Sequence, residues 1–183
     1  MKKRKIAVLF GGCSTEYEVS LQSAYSIIKS MKEELYDKIL IGITREGEWY
    51  RFRGDLKKIK EDTWSMDDSC IPAVISPSRK LHGVIEFYPS RTEYISIDGA
   101  FPVLHGKNGE DGTVQGLLKL AGIPIIGCEV LSSAVCMDKD IAHIVARSAG
   151  IKTPASVVIK KDKSDKEIEE LSEVIGFPLF RCV

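Results

Sequence analysis

The chain opens with a short apolar run followed by an amphipathic segment. Residues 5–10 are rich in β-forming side chains and stop at the glycines of 11–12, which predicts a buried strand leading into a tight loop. Apolar residues at helical spacing then predict a helix over residues 18–31, with Ser14 or Thr15 as its cap. The first elements are therefore a strand and a helix joined by a glycine loop.

A second apolar run follows this helix. Residues 38–43 predict another strand, and residues 44–50 predict a turn into a short hairpin partner. A strand–helix–strand opening favours an α/β fold, because helical crossovers join parallel neighbours in a sheet. We therefore expect residues 1–127 to form a three-layer α/β domain with a mostly parallel sheet.

The middle of the chain carries shorter patterns. Residues 55–62 predict a polar helix. Three short strands are predicted between turns, at 73–75, 84–87 and 94–97. Residues 98–104 predict a further strand, in which Pro102 favours an edge position or a strand end.

Glycines mark the helices that follow. Beyond Gly112 a helix is predicted up to Gly122, followed by a strand at 123–126 and a helix over 138–148. The last elements are predicted as a strand at 154–160, a helix at 166–175 and a strand at 177–180. Residues 128–183 therefore have room for only the beginning of a second domain.

Composition and charge argue against several classes of function. Apolar residues make up 44% of the 183 residues and charged residues 28%, which suits a folded globular protein. Lysine plus arginine and aspartate plus glutamate number 26 each, so no net charge favours nucleic acid or an anionic membrane. No apolar run reaches the roughly 20 residues of a membrane-spanning helix. The apolar run behind the basic N-terminus is too short for an export signal, so we expect a cytoplasmic protein.

The cysteines and histidines show no metal-binding pattern. The five cysteines are scattered, and the three histidines do not lie at ligand spacing from them. This arrangement predicts neither a zinc site nor a disulfide framework. We therefore expect free thiols and no bound metal.

The densest group of reactive side chains lies at residues 105–116. Its glycines are interleaved with a histidine, a lysine, an asparagine and two carboxylates, between a predicted strand and a predicted helix. In α/β sheets this position is the carboxyl end of a strand, where such folds bind their ligands. Because His105 can orient a carboxylate, this loop is the leading candidate site.

Two weaker candidates have structural alternatives. The glycine loop at 11–18 could bind an anion at a helix start, or it could be an ordinary turn with acidic capping residues. Within residues 137–140, Asp138 could cap a helix, and Lys139 could contact a phosphate or be merely solvated.

Taken in order, these three clusters resemble the N-terminal part of the D-alanine–D-alanine ligase family, within the ATP-grasp superfamily. The family block H-G-x-x-G-E-D-G-x-V-Q-G is matched at every position by residues 105–116. The block G-G-x-S-x-E-x-E-V-S-L is matched by residues 11–21, and S-S-A-x-x-M-D-K by residues 132–139. The segment 42–50 is similar to the vancomycin-resistance branch, and within it the chain most resembles D-alanine–D-serine ligases.

The resemblance implies roles for four side chains. Glu16 would hold the ammonium group of the first D-alanine, with Ser20 in the same substrate site, and His105 would orient that substrate. Lys139 would face ATP from the central domain. The implied reaction uses ATP and magnesium to phosphorylate the carboxylate of one D-amino acid, and the amine or hydroxyl of a second then attacks the acyl phosphate. D-alanine is thus the expected partner, and a homodimer is compatible with the family.

The chain departs from the family at its C-terminal end. Cys182 stands where the family has an ATP-binding lysine, and the phosphate loop and magnesium ligands would lie beyond residue 183. Residues 128–183 would therefore be the truncated start of an ATP-grasp domain. We expect the chain to hold a first D-alanine site, to bind no cofactor alone and to be inactive alone. The alternative is a short, non-enzymatic binding or dimerisation module derived from the same family.

Overall fold

A computed structural model of the chain describes residues 2–159 and 164–175. The chain divides into two compact units, at the boundary between residues 134 and 135. In the part of the chain described, no helix is both long and apolar enough to cross a membrane. The predicted domain boundary at 127 and 128 stays a prediction.

The first unit is built on one seven-stranded sheet. Its strands are β1 (Arg4–Gly11), β2 (Tyr36–Ile43), β3 (Trp49–Phe52), β4 (Ile71–Ile75), β5 (Gly83–Tyr88), β6 (Arg91–Ser96) and β7 (Gly99–Pro102). Their order across the sheet is β6-β5-β4-β3-β2-β1-β7. The predicted hairpin partner of the second strand is confirmed as β3, and Pro102 is confirmed at a strand end.

The α/β class is confirmed, but the sheet is mixed rather than mostly parallel. β1 pairs in parallel with β2 and β7, whereas every pairing from β2 through β6 is antiparallel. For three of the four antiparallel pairs the reason is the length of the connection. The segments at 44–48, 76–82 and 89–90 are too short for the crossover that a parallel pair needs.

Helices of the first unit cover both faces of its sheet. They include α1 (Tyr17–Ser30), α2 (Lys57–Lys60) and α3 (Thr113–Ala121), and α4 (Val130–Met137) spans the boundary between the units. The second unit contains α5 (Lys139–Ser148) and α6 (Asp165–Ile175). Alternate residues of β1 face opposite sides: Leu9 packs into one core with Leu118 of α3, and Phe10 packs into another with Leu21 of α1. The three-layer arrangement is therefore confirmed for the first unit.

Several local predictions differ from the structure. The predicted strand at 123–126 is reduced to a single bridge between Ala100 and Ile125. Across the described residues 154–159 no strand forms, and the predicted strand at 177–180 lies outside the described residues. α4 was not predicted, because its small and apolar residues show no clear amphipathic pattern.

Candidate active site

The strand topology brings two loops to one edge of the sheet. β1 and β7 are parallel neighbours, so the loop that follows Gly11 and the loop that follows Pro102 leave the sheet on the same side. A buried serine joins them: the Ser20 hydroxyl accepts a hydrogen bond from the Gly11 N–H at 2.8 Å and donates one to the Val103 carbonyl. The two loops are thereby held at a fixed separation.

This position corrects the expected role of Ser20. The residue was expected to bind substrate, but it has no exposed surface, and its hydroxyl is engaged by the two backbone groups. A fully buried hydroxyl with both bonds formed offers nothing to a ligand. Ser20 therefore positions the loops around the site.

Glu16 lies immediately before α1. It occupies the N-cap position, yet no side-chain hydrogen bond caps the helix. Ser14, one of the two predicted caps, instead accepts a hydrogen bond from the Glu16 N–H at 3.1 Å. The alternative in which Glu16 caps its own helix is therefore not what the structure shows, and its carboxylate is exposed.

His105 follows β7 and is half-buried. Its Nε2 lies 3.1 Å from the Ser23 hydroxyl on α1, and its Nδ1 lies 3.8 Å from Oε1 of Glu110. The other oxygen of Glu110 accepts the Gly106 N–H at 2.9 Å. The imidazole is thus placed between a helix and the far side of its own loop.

Glu16, His105 and Glu110 converge although the first two are 89 positions apart in the sequence. One ligand atom from each lies within 4.8 Å of the others. The resemblance assigned Glu16 and His105 to the same substrate, and the structure brings these two side chains together beside this loop. Their functional roles stay predictions. Two carboxylates and an imidazole at this spacing can bind an ammonium group or a divalent cation.

Other polar residues of the loop serve its structure. Asp111 accepts hydrogen bonds from the backbone N–H groups of Asn108, at 2.8 Å, and of Thr113, at 3.0 Å. Partial burial raises the pKa of Asp111, but these hydrogen bonds outweigh it and lower the pKa below its ordinary value. The loop therefore enters α3 with its backbone donors satisfied.

A second network, which the sequence did not indicate, fixes the start of α1. The Arg45 guanidinium lies 4.1 Å from the centre of the Tyr17 ring and 3.0 Å from Glu18. The Tyr17 hydroxyl donates to Asp62 at 2.9 Å and accepts from the Trp64 indole at 3.0 Å. Burial raises the pKa of Tyr17 to about 12, and the bond to Asp62 adds to this. Since Tyr17 follows Glu16 directly, the network fixes the backbone next to Glu16.

Lys139 belongs to the second unit. It is the first residue of α5, and its ammonium donates to the Cys136 carbonyl at 2.9 Å. The predicted cap is confirmed, because Asp138 accepts the N–H groups of Asp140 and Ile141. Contact between Lys139 and a nucleotide stays a prediction.

Comparisons with known proteins agree with the resemblance in the sequence. Residues 5–128 match the family model for the D-ala D-ala ligase N-terminus. The chain is 47% identical over 186 residues to a D-alanine–D-alanine ligase of Thermoanaerobacter sp. (strain X514), covering 98% of this chain and 50% of that protein. It is 47% identical over 162 residues to the vancomycin/teicoplanin A-type resistance protein VanA of Enterococcus faecium, covering 88% of this chain and 46% of that protein.

The fold agrees as well. The crystal structure of the VanG D-Ala:D-Ser ligase from Enterococcus faecalis matches with a TM-score of 0.83 and 48% identity, over 97% of this chain and 51% of that one. The chain thus spans about half the length of the relatives it matches. On these grounds the chain belongs to the D-alanine–D-alanine ligase family, whose N-terminal portion it represents.

Proposed function

We propose that this chain provides the first D-alanine site of an ATP-dependent D-alanine–D-alanine or D-alanine–D-serine ligase that makes peptidoglycan precursor dipeptides in the cytoplasm. The observation that carries the proposal is the convergence of Glu16 and His105 at one edge of the sheet. An exposed carboxylate beside a half-buried imidazole suits a small molecule that carries an ammonium and a carboxylate group.

Each site residue has a distinct role in this proposal. The Glu16 carboxylate pairs with the ammonium of the first D-alanine, and His105 orients the same molecule. Ser20 holds the two loops at their observed separation from beneath. Lys139 in the second unit contributes a point charge to a phosphate of ATP. These assignments rest on the matched family blocks and on the exposure of Glu16 and Lys139.

The comparisons support either D-serine or D-alanine as the second substrate. A D-Ala:D-Ser ligase matches at 48% identity, and a D-alanine–D-alanine ligase matches at 47%. The match to VanA, at 47%, supports a role in glycopeptide resistance. Either second substrate would meet the same first site, because Glu16 and His105 address only the first D-alanine.

The proposed reaction depends on positioning and charge neutralisation. ATP with magnesium phosphorylates the carboxylate of the first D-amino acid, and the amine of the second displaces phosphate. Since the chain spans about half of its relatives, we infer that residues 1–183 alone do not complete this reaction. Purified chain given ATP, magnesium and D-alanine should release no phosphate above background. Release that depends on D-alanine would contradict this inference.

Ligand titration tests the first site directly. A ligand of alanine's size is limited to about −9 kcal/mol even at the most favourable ~1.5 kcal/mol per non-hydrogen atom, and an open half-site should bind in the millimolar range. Titration of ¹⁵N-labelled chain with D-alanine should shift backbone signals around Gly106, and Glu16→Gln should remove these shifts. Glu33→Gln, on an exposed carboxylate elsewhere, is the matched control and should leave them unchanged. Equal binding by wild type and Glu16→Gln would overturn the proposal.

A further inference from the structure

Two carboxylates and an imidazole meet at the loop that follows β7. Glu16 lies just before α1, and His105 and Glu110 both lie in that loop. One ligand atom from each lies within 4.8 Å of the others. Around a tetrahedral ion with bonds of about 2.1 Å, ligand atoms lie about 3.4 Å apart. The three side chains therefore need to close by at most ~1.4 Å to share one ion.

The imidazole has one nitrogen directed toward a carboxylate. Nδ1 of His105 lies 3.8 Å from Oε1 of Glu110, while Nε2 lies 3.1 Å from the Ser23 hydroxyl. A serine hydroxyl can either donate to a ring nitrogen or accept from it. It can therefore accept an N–H at Nε2 while the Nδ1 lone pair binds an ion. Metal-binding histidines commonly have such an outer hydrogen-bond partner.

The backbone holds Glu110 in place, and no basic side chain neutralises the two carboxylates. One oxygen of Glu110 accepts the Gly106 N–H at 2.9 Å, which leaves Oε1 on the side of His105. Within residues 2–159 and 164–175, no lysine or arginine forms an ion pair with Glu16 or Glu110. Neighbouring carboxylates repel each other, and a cation bound between them removes that repulsion.

The mixture of nitrogen and oxygen donors indicates the class of ion. Magnesium and calcium are bound mainly through oxygen, whereas an imidazole suits zinc and related transition metals. Zinc sites with three protein ligands keep a fourth position for water or another small ligand. Glu16 and Glu110 are exposed and His105 is half-buried, which fits a site that is open on one side.

We propose that Glu16, His105 and Glu110 bind one zinc ion, or another divalent transition-metal ion, at this edge of the sheet. The spacing of cysteines and histidines could not indicate this site, because two of its three donors are carboxylates. The metal site does not depend on the proposed function. One consequence does rest on it: Glu16 cannot hold the ion and an ammonium group at once, so bound zinc excludes D-alanine.

Nuclear magnetic resonance of the histidine ring nitrogens tests the metal site directly. The chain has three histidines, so chain labelled with ¹⁵N-histidine gives a simple spectrum, assigned with His82→Gln and His143→Gln variants. Excess zinc should shift the Nδ1 signal of His105, because that nitrogen becomes a metal ligand. The same concentration of magnesium should leave it in place. A His105 signal that zinc does not move, or that magnesium moves equally, would overturn the proposal.

Glu16→Gln and Glu110→Gln test the two carboxylates. Glutamine keeps the length of the side chain and an oxygen that can accept the Gly106 N–H. Loss of even an outer partner weakens metal binding by about 10–100-fold, so loss of a ligand should weaken zinc binding at His105 by at least about tenfold. Glu33→Gln, on an exposed carboxylate elsewhere, should leave it unchanged. If one variant fails to fold, the other decides. Zinc affinity equal to that of wild type in a folded variant would overturn the site.

Competition separates the metal site from the proposed function. D-alanine and L-alanine bind free zinc equally well, because they are mirror images. If D-alanine pairs with Glu16, it should weaken zinc binding at His105 more than L-alanine does. Equal effects of the two would overturn the mutual exclusion. If D-alanine fails to bind the wild type, the proposed function fails, and the zinc titration still decides the metal site.

Discussion

Gly106 approaches Glu16 so closely that a β-carbon at position 106 would lie 3.1 Å from Oε1 of Glu16. The same atom would lie 2.6 Å from the Ser14 hydroxyl. Gly106 also has a φ of +68°, which side-chain-bearing residues rarely adopt. The loop after β7 and the residues before α1 therefore meet through a glycine, and the site depends on that close contact.

Gly106→Ala should consequently damage both the fold and the site. The left-handed backbone costs a non-glycine residue about 1–2 kcal/mol, and the added methyl group must displace Ser14 or Glu16. We expect a loss of that size in the free energy of unfolding, measured with urea, together with weaker binding of D-alanine.

The matched control is Gly116→Ala within α3. A β-carbon there would meet nothing within 4 Å, and alanine is favoured over glycine in a helix interior by about 1 kcal/mol. This variant should be as stable as wild type or more stable, with unchanged affinity for D-alanine. Equal losses in the two variants would show that the close contact at Gly106 is unimportant.

A buried carboxylate organises the antiparallel half of the sheet. Glu86 has no exposed surface and accepts bonds from Arg53, at 2.7 and 2.8 Å, and from the Tyr88 hydroxyl, at 2.8 Å. Arg51 lies 3.5 Å away, and burial together with the charge of Arg53 lowers its pKa to about 10. Glu86→Gln would remove the ion-pair partner of the buried Arg51, and we expect a loss of about 3–5 kcal/mol in unfolding free energy.

Glu93→Gln provides the comparison for this variant. Glu93 is the β6 partner of Glu86 across the strand pair, but it forms its ion pair with Arg91 at the surface. Exposed pairs contribute little, so the variant should unfold at nearly the wild-type urea concentration. If Glu86→Gln were equally mild, the buried carboxylate would not support the sheet as described.

The stability of the chain should depend on Tyr17 at high pH. The pKa of Tyr17 is about 12 in the folded chain, against 10.0 for an ordinary tyrosine, so the folded state retains a proton that the unfolded state releases. The stabilisation is complete below pH 10 and is lost as pH rises toward 12. The difference in unfolding free energy between wild type and Tyr17→Phe should therefore shrink across this range. A constant difference would contradict the assignment.

The meeting of Glu16 and His105 could be predicted from the sequence. Each follows an apolar run that reads as a strand, and parallel neighbours in an α/β sheet bring their carboxyl-end loops together. The matched blocks at 11–21 and 105–116 named the same two side chains. The sequence around each residue was thus enough to indicate both where Glu16 and His105 lie on the sheet and which side chains form the site.

Other features depend on contacts that no local pattern encodes. Three of the four antiparallel pairs are joined by short connections, and the apolar spacing of the strands does not indicate which of them pair. Ser20 was predicted to bind substrate. Only its hydrogen bonds to Gly11 and Val103, which are distant in the sequence, show that it lies beneath the site. The hydrogen bond between Tyr17 and Asp62 joins positions 45 apart, and no pattern around either residue predicts it.

In the proposed function, Glu16 and His105 hold the two ends of one D-amino acid. A crystal structure of the chain soaked in D-alanine measures this arrangement most directly. We expect the ligand's nitrogen within about 3 Å of a Glu16 carboxylate oxygen and one of its carboxylate oxygens at the same distance from a ring nitrogen of His105. D-alanine bound elsewhere, or its absence from this edge of the sheet at a concentration that saturates binding in solution, would contradict the claim.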